Sequence, residues 1–160
     1  MAKKAAKSAK DKRDGASGPV MVIPHVVLNS MAYKTLSGRA VKLLFDMAQQ
    51  YNVSNNGQLL ASWRYMSEKR GWTSADALNK AKVELLSHDL ISQTVQGRLP
   101  NKASWYGITW VALDDSKVVL DIATQSWPRC AYINWLPSKD EKQRKAPSQK
   151  LPHPVRTPDT

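Results

Sequence analysis

The chain has little of what several common protein classes require. One cysteine, Cys130, stands among 160 residues, so no internal disulfide can form and no cysteine-rich zinc site exists; an inert thiol in a reducing compartment is the reading. The histidines His25, His88 and His153 are scattered at spacings that match no metal-binding pattern. A phosphate-cradling glycine loop, an HExxH helix and a Ser-His-Asp cue are all missing, so nothing names an enzyme, and no cofactor or metal is expected. There is no run of about 18 apolar residues to span a membrane, and no apolar stretch of about seven behind the N-terminal lysines to act as a secretory signal. A soluble, cytoplasmic chain is the expectation.

Acidic residues are scarce too: 24 Lys and Arg face 13 Asp and Glu, for a formal net charge of +11. Such an excess suits a polyanionic partner, nucleic acid first. Its distribution is uneven. Residues 1–14 carry six basic and two acidic side chains and residues 129–160 carry seven and three, leaving 11 and eight for the middle of the chain. Both ends are strongly basic, whereas the centre depends on where its few cations sit.

Composition divides the chain the same way. Residues 1–18 mix Lys, Ala, Ser and Gly with no large apolar residue after Met1, and read as a disordered basic arm. From 137 to 160, prolines at 137, 147, 152, 154 and 158 alternate with Lys, Arg and Ser in a second disordered tail. Between them 19–113 carries the domain, and 114–136 is an extension whose Trp127 and Trp135 pack on the domain or serve a partner. Hydrophobic residues make up 42% of the chain and six are tryptophan, enough for one core.

Within the domain, Val20 to Leu28 is apolar and β-branched around Pro24 and His25, and reads as an extended segment. Ser37 caps a helix over GRAVKLLFDMAQQY whose apolar stripe is Ala40, Val41, Leu44, Phe45, Ala48 and Tyr51. Asn55-Asn56-Gly57 turns the chain into a short strand, Gln58-Leu59-Leu60, before Ser62 caps a helix from Trp63 to Arg70 that ends at Gly71. Thr73 or Ser74 then caps ADALNKAKVELLSH, in which Leu78, Ala81, Leu85 and Leu86 share one face. After Leu90 the period falls to two, giving a hairpin of Ile91 to Val95 and Ser104 to Val111 around QGRLPNKA.

Two helices joined by a tight glycine-containing turn and followed by a β-hairpin make the α+β winged helix-turn-helix. In that arrangement the helix after Ser74 is the recognition helix, with Asp76, Asn79, Lys80, Val83 and Glu84 opposite its apolar stripe. Thr73, Ser74, Asn79 and Lys80 are the candidate DNA contacts: Asn bonds adenine bidentately and Lys bonds guanine or phosphate. Asp76 is tolerable there if it accepts from cytosine or pairs with a neighbouring cation. Arg98, Asn101 and Lys102 are wing candidates, beside Gly97 and Pro100, and Arg64, Lys69 and Arg70 are candidate contacts to the DNA backbone. Trp63, Tyr65, Trp72, Trp105, Tyr106 and Trp110 read as core rather than base-stacking surface, and Asp114-Asp115 as a turn.

The pieces NNGQLLAS, RGW at the turn, ELLSHDLI closing the recognition helix and QGRLPNKASWYGITW in the wing resemble small helix-turn-helix proteins of proteobacterial phages, plasmids and integrative elements. The resemblance covers about 23–113. More loosely, the layout is similar to the N-terminal winged domain of plasmid replication initiators. Relatives of this pattern commonly carry Gly before the Leu-Ile that follows the recognition helix; this chain has Asp89. The resemblance implies a non-enzymatic, sequence-specific binder of double-stranded DNA, acting in transcription or replication of a mobile element. A homodimer fits that role, since one winged domain reads few base pairs. Two other readings stand beside it: a non-specific RNA or nucleoid binder working through the basic tails, and a winged module that binds a phage or host protein through its 118–136 segment.

Overall fold

The computed structural model describes residues 19–98, 102–114 and 118–138. The basic arm, most of the proline-rich tail, Pro100, Asn101 and Asp115 lie outside the described residues.

Pro24 opens α1 (His25–Asn29) with an extended backbone, its carbonyl accepting from Val27 N at 3.0 Å. The expected extended segment is therefore a helix from His25 onward. Burial overrides β-propensity here: the helical turn places Val27 wholly inside while Val26 stays 52% exposed. The Ser30 hydroxyl donates to Val27 O and accepts from Tyr33 N, closing α1 and capping α2 (Met31–Lys34) with one side chain.

Ser37 caps α3 (Gly38–Ala48), accepting from Ala40 N at 3.3 Å. Its buried face is Ala40, Leu43, Leu44, Asp46, Met47 and Ala48, while Phe45 is exposed and Val41 half-buried. The expected stripe is thus rotated by roughly 70° at about 100° per residue. The rotation turns Asp46 inward.

After the turn at Asn55-Asn56-Gly57 come β1 (Leu59–Leu60) and α4 (Trp63–Arg70), capped by Ser62. Gly71 ends α4 at φ +68, and Trp72 N reaches back to Met66 O at 3.2 Å. Ser74 caps α5 (Ala75–Ser87), which packs on α3 through Leu78, Ala81 and Leu85. Glu84 accepts from both the backbone N–H and the hydroxyl of Ser37, at 2.7 and 2.6 Å, tying α5 to the start of α3.

Asp89 occupies the left-handed position after α5 at φ +56, where Leu90 N bonds Leu85 O and Asp89 N bonds Leu86 O. A Cβ is strained there. Asp89→Gly is accordingly expected to raise stability by about 1 kcal/mol, read as a higher midpoint in urea with an unchanged slope.

β2 (Ile91–Val95) and β3 (Trp105–Ile108) pair antiparallel, and β3 also pairs with β1, giving the order β1-β3-β2. An irregularity between Gln93 and Val95 interrupts the β2–β3 register. Gln50 seals the outer side of β1: its amide donates to Leu60 O and accepts from Leu60 N, both at 2.9 Å.

The extension straps across the sheet and back to the helices. Asp121 N bonds Thr94 O, and the Asp121 carboxylate accepts from Gln96 N. Trp127 lies against Gly107, where a Cβ would stand 2.6 Å from the ring's Cη2, and donates through Nε1 to Val111 O. Two short 3-10 turns, Thr124–Ser126 and Ala131–Asn134, carry it onward. Tyr132 is buried in the main core, and Trp135 stacks on His88 with ring centroids 4.0 Å apart while donating to Ser87 O. The result is an α+β unit whose helices and three-stranded antiparallel sheet share one core. No helix among the described residues is long and apolar enough to cross a membrane.

Candidate nucleic-acid interface

The turn from α4 to α5 is held by a buried carboxylate. Asp46 of α3, only 5% exposed, accepts from Lys42 Nζ at 2.6 Å, from Trp72 Nε1 at 2.8 Å and from Arg70, whose Nε and Nη2 approach at 3.0 and 2.8 Å. Lys42 also donates to Arg70 O at 3.0 Å and sits 4.8 Å from the Trp72 ring centroid. Burial pushes the Asp46 carboxyl up, but hydrogen bonds from Lys42, Trp72 and Arg70 outweigh it and hold the group below its ordinary 3.8. The last residue of α4, the ring after Gly71 and the middle of α3 are thereby fixed to one another.

Beside this network lies an open cleft of about 320 Å³, lined by Arg39, Lys42, Trp72, Thr73, Ser74 and Asp76 among others. Thr73 and Ser74, the candidates at the helix start, therefore meet Arg39 and Lys42, which the sequence does not single out. The two cations come from a helix more than thirty residues earlier in the chain, so only the packing of α3 on α5 brings them there. Their spacing of three on one helix face was the available signal.

Asn79 and Lys80 are exposed on α5, and Lys80 Nζ is 2.8 Å from Asp76 Oδ2. Asp76 thus has the cationic neighbour that makes a carboxylate tolerable near a polyanion. Glu84, on the same helix, is committed to Ser37. Arg64 is exposed and pairs with Glu68 at 3.4 Å. With Lys69 it borders a second cleft, of about 240 Å³, that includes Leu60, Ser62 and Tyr65. Arg70 turns inward to Asp46, so its guanidinium is engaged within the protein. Arg98 and Lys102 face each other across the hairpin loop with both backbone N–H···O bonds at 2.9 Å, and both are exposed.

Of the aromatics, Trp72, Tyr106 and Trp110 are buried, Tyr65 and Trp105 are half-buried, and Trp63 is 42% exposed at the start of α4. Among the described residues no group of three His, Cys, Asp or Glu is placed to hold a metal ion. Comparison with protein-family models, with curated proteins and with solved structures finds no match.

Proposed function

We propose that the chain is a sequence-specific double-stranded DNA-binding protein built as a winged helix-turn-helix, with α4 and α5 as its helical pair and the β2–β3 hairpin as its wing. One observation carries the reading: at the start of α5, Arg39, Thr73 and Ser74 line a cleft, with Lys42 beside them on Asp46, where the helix presents the first-turn backbone N–H groups that Ser74 does not cap. A phosphate placed there meets donors and positive potential from two helices. Asn79 and Lys80, further along α5, are the base readers; Arg98 and Lys102 at the wing, with Arg64 and Lys69, supply backbone contacts. Regulation of transcription or replication of a mobile element is the matching context, with two copies on a two-fold site. Trp127, Tyr132 and Trp135 are spent on the chain's own core, and Val119, Ile133 and Leu136 are the large apolar side chains the 118–136 segment leaves exposed.

The test is selection from a random duplex pool at about 150 mM salt with the full chain. One enriched motif is expected. Asn79→Ala and Lys80→Ala should each relax preference at one position by about 1–3 kcal/mol. Arg98→Ala and Lys102→Ala should instead weaken binding to all sequences and flatten the salt slope by about 1 each. Binding without any enriched sequence would sink the proposal in favour of a non-specific nucleic-acid binder.

A further inference from the structure

The outward side of α5 carries Asp76, Asn79, Lys80 and Val83, all exposed. At about 100° per residue they fall within an arc of about 100°. Three are polar; the fourth, Val83, is 56% exposed and takes no part in the core. Its neighbours along the face are Asn79 and Lys80 one turn earlier and Ser87 one turn later, so it is an isolated apolar point on a polar stripe.

We infer that Val83 is a specificity-determining residue that reads the C5-methyl group of a thymine. The inference rests on the DNA reading above and adds to it a base and a contact. A major groove offers one apolar feature on its base edges, the thymine methyl. Valine suits it: the side chain has no hydrogen-bonding group to leave unpaired, and in a helix its branched Cβ holds essentially one χ1 rotamer, so little freedom is lost on contact. It can do nothing for a phosphate. The thymine lies next to the base pairs met by Asn79 and Lys80, because Val83 follows them by a single turn. The Lys80 ammonium lies 2.8 Å from Asp76, on the N-terminal side of Val83.

The probe is the most enriched duplex from the random pool, remade with each thymine in turn replaced by uracil, which removes only the methyl. Wild-type protein should lose about four-fold in affinity at one thymine, the weight of one methyl returned to water. Val83→Ser, on an exposed helix face, should stay folded by circular dichroism and bind the thymine and uracil duplexes alike. A motif read equally well with uracil at every position, or a Val83→Ser variant that keeps the four-fold difference, overturns the inference and leaves the DNA reading intact. Failure to enrich any motif overturns both.

Discussion

Asp46→Asn is expected to lower the unfolding free energy by about 3 kcal/mol, measured by urea denaturation at pH 7. Breaking a buried ion pair from one side leaves its partners facing a site that no longer neutralises them, and here two cations lose that carboxylate at once. The figure is set at the low end of the range because Lys42 is 48% exposed and Arg70 30%, so water compensates both in part. The loss should also be local. Amide exchange ought to quicken most at Trp72, whose N–H closes the α4 cap, and least along β3. Acid should reproduce the effect in the parent chain. The folded carboxyl titrates below its ordinary 3.8, so its contribution is complete above that pH and disappears as pH falls through the lower folded value. The asparagine variant should lack that component of acid sensitivity.

Asn56→Leu is expected to cost about 4 kcal/mol, which at this size means a fall in Tm large enough for routine calorimetry to register. Asn56 is fully buried. Its carbonyl oxygen accepts from Ile108 N at 2.8 Å, and its amide nitrogen lies 3.0–3.1 Å from the carbonyls of Ile108, Val111 and Ala112, two hydrogens shared among three acceptors. Those groups belong to the end of β3 and the chain leaving it, where no strand partner replaces the amide. Leucine fills the volume and satisfies none of them. Asn56→Asp is the informative companion: it keeps the bond from Ile108 N but turns an ionised oxygen toward three carbonyls, so its penalty should grow as pH rises above the usual carboxylate range.

Local chemistry was readable from the sequence. Ser37, Ser62 and Ser74 cap three helices as expected because an N-cap hydroxyl answers to an N–H three residues on, and Gly71 closes α4 because a left-handed residue is needed at that spot. The hairpin followed from a change of period. What escaped depends on partners distant in the chain. Asp46 looks like a solvent-facing residue until Arg70 and Trp72, 24 and 26 positions away, are folded against it. Asn56 reads as turn chemistry, yet its bonds span more than fifty residues. The helices α1 and α2 are too short to show a period, and their burial of Val27 and Ala32 is decided by the core they meet. At the candidate site, Asn79 and Lys80 follow from helix phase and Thr73 and Ser74 from their place at the helix start, whereas Arg39 and Lys42 require the packing of α3 on α5. Arg70 reads as a surface cation, and the fold turns its guanidinium onto Asp46.

The amide of Gln50 has a consequence for how the molecule meets its own kind. By occupying both backbone groups that Leu60 would otherwise offer outward, it acts as a one-residue mimic of a neighbouring strand. On the opposite margin Asp121 takes Thr94 O and Gln96 N. On the β1 flank, Leu60 is thereby withheld from any further strand, and on the β2 flank Thr94 O and Gln96 N are withheld likewise, which shortens the backbone template each edge presents to another chain.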